Sequence, residues 1–226
     1  MKARPLHDWN VAPAEARDIQ QRLRRRVRLT PYHGPLRRVA GVDVGIKHNR
    51  ATAAVVVLDA NTLEVIEVAA AARPVEFPYI PGLLSFREVP VILEAAEKLT
   101  ADPDVVLLDG QGIAHPRRFG LACHLGVLWN KPAIGCAKSR FIGVHEEPHE
   151  AAGSYTDLFD DRQDPPELIG AVLRSRDDVR PLYISAGHRV ELPQAIDLVL
   201  DCCAGYRLPE PTRLAHHAAA GNLRQT

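Results

Sequence analysis

Three runs of strand character follow one another with very little chain between them, and this feature limits the fold more than any other. "RVAGVDVG" (38–45) is apolar around one acid. "TAAVVVLDA" (52–60) is nearly continuous Val and Ala. "LEVIEVAAAA" (63–72) alternates apolar and polar residues. Antiparallel strands can be joined by a tight turn, whereas parallel ones need a crossover of a dozen or more residues. The spacing therefore predicts a three-strand antiparallel meander.

The pattern then changes. "GLLSFREVPVILEAAEKL" (82–99) is helical, with Pro90 expected to interrupt or kink it. "DVVLLDG" (104–110) reads as a short buried strand, "PRRFGLACHLGVLWN" (116–130) as a helix opened by Pro116, and "PAIGCAKS" (132–139) as another buried strand. A β-α-β-α-β order favours parallel pairing. Upstream, "APAEARDIQQRLRRRVRL" (12–29) reads as a helix with Ile19, Leu23 and Val27 toward the core. Its arginines read as a solvated face, with phosphate contact as the alternative. Downstream, "EPHEAAGSYTDLFDDRQDPPE" is polar and loop-like, "LIGAVLRSR" and "PLYISAG" suggest a strand pair, and "ELPQAIDLVLDCCAGY" and "PEPTRLAHHAAAGN" read as helices. With no repeat, low-complexity block or linker, one domain over residues 1–226 is expected.

The chain carries 28 basic and 28 acidic residues, which argues against a bulk polyanion binder but leaves room for a local basic groove. Hydrophobic residues make up 46% and charged residues 25%, the balance of a soluble globular protein. No run approaches the roughly 20 apolar residues of a membrane span. The opening "MKARPLHDWN" lacks the apolar core of a signal peptide. Cys123, Cys136, Cys202 and Cys203 form no C-x-x-C pair. Reduced buried thiols, a cytoplasmic location and a monomer are the expectations.

Three acids stand out. Asp43 interrupts an apolar strand, where an unpaired carboxylate is costly; it either caps a bulge or binds a cation. Asp109 ends a strand at the edge where open α/β sheets hold ligands, with Gly110 and Gly112 after it to admit close backbone approach; capping the next turn is the plainer reading. Glu88 lies on the helix between them, where solvation alone would explain it. A meander, a crossover helix and a parallel strand place Asp43 beside Asp109. That is an α/β, RNase H-like mixed sheet, an antiparallel three-strand meander plus parallel strands flanked by helices, whose neighbouring carboxylates share hard cations. His216 or His217 could add an imidazole; they point about 100° apart on a helix, so one faces inward. Such a set suits Mg²⁺ or Mn²⁺ better than zinc.

The stretches "AGVDVG", "PYIPGLLSFRE", "LLDGQGIAHPRRFGLACHLGV", "PAIGCAKSR", "YISAGHRV" and "YRLPEPTRLAH", in this order, resemble the endonuclease V family of nucleases specific for deaminated bases. The resemblance implies an RNase H-like fold, Mg²⁺ with Mn²⁺ as a substitute, and cleavage of the second phosphodiester bond 3′ to inosine in DNA repair. It places Asp43, Glu88, Asp109 and His216 at the metal, choosing His216 over His217, and Lys138 at the catalytic strand end. Pro78, Tyr79, Ile80 and Pro81 become a wedge entering the base stack, and Gly82, Leu84, Gly110 and Gly120 the lining of a pocket for the displaced base. Arg117 and Arg118 could meet phosphate or pair with local carboxylates, and His115 could meet the backbone. DNA containing deoxyinosine is the expected partner, with inosine-containing RNA as the other candidate. Another RNase H-like nuclease, such as a junction resolvase, has no use for a base wedge. A module that binds inosine without cutting has none for the metal ligands.

Overall fold

The structure, a computed structural model, describes residues 1–222. One eight-stranded sheet organises it, in the order β3-β2-β1-β4-β5-β8-β7-β6. The meander is β1 (Arg38–Lys47), β2 (Arg50–Asp59) and β3 (Val65–Pro74), paired antiparallel. β4 (Val105–Leu108) and β5 (Ala133–Ala137) join parallel to β1. The remaining strands β6 (Tyr155–Asp160), β7 (Glu167–Leu173) and β8 (Leu182–His188) add antiparallel. This is the expected RNase H-like arrangement. Among the described residues no helix is long and apolar enough to cross a membrane, and all four cysteines are free, three of them buried.

Alternation along the strands sorts the core into two faces. On one face Val42, Val55, Val57, Val106 and Leu108 pack beneath α2 (Leu84–Ala96) and α3 (Leu121–Trp129). On the other, Val39, Val56, Leu107 and Ile134 pack beneath α4 (Leu192–Asp201) and α5 (Glu210–Ala219). Helix α1 (Pro13–Leu23) buries Ile19 and Leu23 against Phe77, Phe86 and Phe119.

Four local expectations change. Helix α3 begins at Leu121, not near Pro116, because Arg118 adopts a left-handed φ of 54° that no helical turn accommodates. Helix α1 ends at Leu23 in a single 3₁₀ turn, Arg24–Arg26, after which Val27 is extended and only half-buried. Helix α2 runs through Pro90 unbroken, held down by the fully buried Val89, Val91 and Ile92. The polar stretch read as a loop contains strand β6, an edge strand that buries only Leu158 and Asp160.

Gly41 decides how closely α5 can approach. It faces the α5 side of β1, and a Cβ there would overlap the backbone carbonyl of Pro211 in the first turn of that helix. Four residues on, on the same face, a Cβ at Gly45 would meet Ala219 O at an ordinary 3.7 Å. We expect Gly41→Ala to cost about 3 kcal/mol by overpacking against rigid backbone, and Gly45→Ala to be nearly neutral. Urea denaturation of both variants checks this; equal costs would contradict the close approach.

Candidate active site

The pairing of β1 with β4 brings the acids together. Val42 lies opposite Leu108, the last residue of β4, so Asp43 and Asp109 are the next pair beyond it, and Asp109 N–H donates to Val42 O at 3.2 Å. Val42 and Leu108 point into the α2–α3 face, so Asp43 and Asp109 point toward α5. There His216 Nδ1 reaches Asp43 Oδ2 at 2.9 Å, while His217 lies around the helix. From the opposite face α2 brings Glu88, half-buried, within range of both acids. Lys138, directly after β5, forms an ion pair with Asp109. Arg207 fixes the backbone there by donating to Lys138 O at 2.7 Å and Pro181 O at 2.9 Å.

This crowding has an electrostatic signature. Burial first, then the charges of Asp43 and Asp109, push the Glu88 carboxyl up to about 8. Burial also raises Asp109, as do the charge of Asp43 and a hydrogen bond with it, against the pull of Lys138. Among the described residues no three His, Cys, Asp or Glu side chains are preassembled as a metal-ligand set, and Lys138 and His216 engage carboxylate oxygens of Asp109 and Asp43. The chemistry of the donors nevertheless fits a hard divalent cation. Two carboxylates sit side by side at the ends of paired strands with a third in electrostatic range, and a single lysine pairs with only one of them.

Two hollows meet at these residues. A cleft of about 970 Å³ runs past Asp43, His216, Lys47 and Arg50. A second hollow of about 390 Å³ is lined by Tyr79, Ile80, Pro81, Gly82, Leu84, Gly110, His115 and Gly120, within the size range of small-ligand sites. Among the described residues only Asp109 and Lys138 line both. Gly112 lines neither, because it packs against the backbone of Ala186 and Ser185 in β8. Pro78 faces a separate small cleft beside Trp9 and Arg87.

The second hollow is rigidly built. Pro81 and Gly82 occupy the centre of a turn closed by Leu83 N–H to Ile80 O at 2.9 Å, with Gly82 at a φ of 81°, the combination that defines a type II turn. The Gly82 carbonyl accepts from Gln20 Nε2 at 2.9 Å, His115 Nε2 at 3.0 Å and an Arg117 guanidinium nitrogen at 2.6 Å. Tyr79, on the same turn, stays 70% exposed. His115 is pushed down to about 4, by burial and then by Arg117, so it is neutral. Its Nδ1 accepts from Arg117 N–H, so neither ring nitrogen is free for a ligand. Arg117 donates its Nε–H to Gln20. Arg118 pairs with buried Asp160 and with Glu167, the carboxylate alternative of the sequence reading.

A further chain reaches the back wall. His7 Nδ1 donates to Asp8 O, His7 Nε2 meets His124 Nε2 at 2.8 Å, and His124 Nδ1 meets Ser85 Oγ at 3.0 Å. With Nδ1 of His7 protonated, His124 donates to His7 and accepts from Ser85, so the chain holds the serine hydroxyl in one orientation. Sequence reasoning missed Gln20, Ser85, His124, Asp160 and Arg207. Each has a partner at least 39 residues away in the chain, and no local pattern marks such contacts.

The sequence model of the endonuclease V family matches residues 21–217. Among curated relatives, an endonuclease V from Roseiflexus sp. (strain RS-1) is 51% identical over 212 residues, 94% of each chain. Among solved structures, the endonuclease V of Streptomyces avermitilis superimposes with a TM-score of 0.89 at 42% identity, covering 98% of this chain and 97% of that one. An endonuclease V from Ciona intestinalis, solved with a 24mer DNA containing an inosine followed by a ribo-adenosine, gives a TM-score of 0.78 at 27% identity, covering 92% and 96%.

The raised Glu88 carboxyl gives a test without a substrate. Folding holds its proton up to about pH 8, well above the range of an unfolded carboxyl, so stability falls as pH rises from about 4.5 toward 8. Glu88→Gln removes that fall. In chelator, the variant should melt at least about 4 °C above wild type at pH 9, since even about 1 kcal/mol shifts a chain of this size by roughly 2–4 °C, and level with it at pH 5. A difference independent of pH would contradict the assignment.

Proposed function

The chain belongs to the endonuclease V family, and on that premise we propose that it is a repair deoxyribonuclease that captures inosine from DNA and hydrolyses a nearby phosphodiester bond. One observation carries the reading. The hollow suited to a base and the cleft holding the acids are separate spaces that share Asp109 and Lys138. A base lodged in the first sets a phosphate of the same strand against the second.

The wedge comes first. Prolines fix φ and stiffen the turn, so Tyr79 projects into solvent without a further ordering cost. Extruding a base costs a few kcal/mol, and least where pairing is weak, as at inosine. Inosine lacks the exocyclic amine of guanine and carries an oxygen where adenine has an amine. The walls that meet it include Gly82, Gly110 and Gly120 beside Leu84, and glycines let backbone approach the base closely, which suits them to reading that difference.

At the cleft, Asp43, Glu88, Asp109 and His216 would hold Mg²⁺, which Mn²⁺ can replace. When bound, such an ion lowers the pKa of water and offsets charge on the phosphoryl oxygens. The chain's own groups do the rest. Lys138 sets a positive charge at the junction of the two spaces, where charge develops as the bond breaks. His216 orients the Asp43 carboxylate, and Arg207 fixes the backbone carrying Lys138. Because captured base and acid cleft do not coincide, the cut falls away from the captured nucleotide. We take the bond that is cut to be the second on its 3′ side, as the sequence resemblance implies.

Asp43→Asn and Asp109→Asn should each lower single-turnover nicking of inosine duplex at least 10³-fold while leaving affinity for that duplex within about threefold. Nicking and gel-shift assays, with Mg²⁺ and with chelator, measure both; retained nicking would overturn the site. Tyr79→Ala should narrow the preference for inosine over unmodified duplex at least tenfold, since stacking on an aromatic contributes about 1–3 kcal/mol per base. An unchanged preference would remove the wedge.

A further inference from the structure

At the other end of β5 lies a hollow that the nuclease reading does not use. It has a volume of about 500 Å³ and is walled by Arg4, Arg25, Arg26, Arg28 and Arg189, with His188 at its base and no Asp or Glu in its lining. The five arginines come from three separate segments: the N-terminal strap, the chain leaving α1, and the end of β8. Backbone bonds tie these together. Arg4 N–H donates to Leu128 O at 2.9 Å, Arg189 N–H to Arg28 O at 2.6 Å, and Arg28 N–H to His188 Nδ1 at 3.2 Å. One guanidinium nitrogen of Arg189 donates to Asn130 O at 3.1 Å.

None of these five side chains forms an ion pair among the described residues. In a chain with as many acids as bases, five unneutralised guanidinium groups around one hollow are a marked concentration of charge. Their field converges on its floor: the His188 ring is pushed down to about 4, by burial and then by Arg189, Arg28 and Arg4. Helix α3 measures the separation from the base hollow. Leu121, its first residue, lines that hollow, and Val127 lines the arginine hollow near its far end. Six residues at about 1.5 Å each separate them by roughly 9 Å along the helix. A single phosphate cannot occupy both.

We propose that this arginine hollow is a second anion site that binds two or more phosphate groups, remote from the bond that is cut. Arg presents a planar fork that grips phosphate oxygens in pairs. Five forks on three anchored segments suit a chain of phosphates better than one. Two sources share this chemistry, a nucleic-acid backbone beyond the cleaved stretch and a free oligophosphate. The site does not depend on the reading of the acid cleft.

The test uses the full chain and the variant Arg25→Ala/Arg26→Ala/Arg189→Ala, whose side chains are exposed; Arg25→Gln/Arg26→Gln serves if the triple variant melts early. One arm titrates tripolyphosphate by calorimetry at low salt. The other measures affinity for unmodified duplexes of 12 and 40 base pairs across a salt series. If nucleic acid is the occupant, the triple variant loses at least tenfold in affinity for the long duplex, and its salt slope drops by roughly three for three lost contacts. If free oligophosphate is the occupant, tripolyphosphate binding alone falls tenfold or more. In both cases nicking of a short inosine duplex stays within twofold of wild type, separating this site from the acid cleft. Unchanged tripolyphosphate and long-duplex affinities together would overturn the proposal.

Discussion

The pairing of Val42 with Leu108 is the constraint on which the rest depends. It sets two carboxylates side by side at the open end of a parallel strand pair, where burial and the charge of Asp43 raise the Asp109 carboxyl. Everything around that edge is arranged to tolerate the cost. Gly41 lets α5 lie against β1, so that His216 arrives over Asp43. Lys138 extends from the next strand to Asp109. Glu88 reaches in from the opposite face, where burial and then the charges of Asp43 and Asp109 raise its carboxyl against the weaker pull of Arg87. A strand edge that concentrates negative charge in this way is unfavourable as a core and well suited to gripping a divalent ion.

The second requirement is a rigid wall. The Gly82 carbonyl is the point where α1, the Pro-Gly turn and the 115–118 segment are fastened together, through Gln20, His115 and Arg117. Arg118 extends the connection to the outer hairpin: it donates to His115 O and pairs with Asp160 and Glu167. The residues forming the base hollow are thus braced from three directions, while Tyr79 remains free at the rim. Discrimination between bases that differ by one exocyclic group needs walls that do not yield, and buried, fully engaged hydrogen bonds supply them.

Much of this was legible in the residue pattern, because the relevant signals are local. The meander follows from three strand runs joined too tightly for crossovers. Asp43 stands out because it breaks an apolar run, and Asp109 because it ends one. Helical spacing leaves one of two adjacent histidines facing inward, and the structure brings His216 to Asp43. What escaped depends on partners distant in sequence. Arg117 and Arg118 look like phosphate ligands until Gln20 and Asp160, 97 and 42 residues away, claim them. Gly112 reads as a ligand approach and is instead a packing contact with β8. Strand β6 was hidden because an edge strand needs few apolar residues. The start of α3 was misplaced because a left-handed arginine leaves no mark in the sequence.

The central claim is that Asp43 of β1, Asp109 just after β4 and Glu88 of α2 form one divalent-cation site. Anomalous diffraction from a crystal soaked in Mn²⁺ tests it most directly. The account predicts a manganese peak coordinated by Asp43 and Asp109, with the peak lost in a crystal of Asp109→Asn. A peak elsewhere, or none near these two side chains at saturating Mn²⁺, would contradict it.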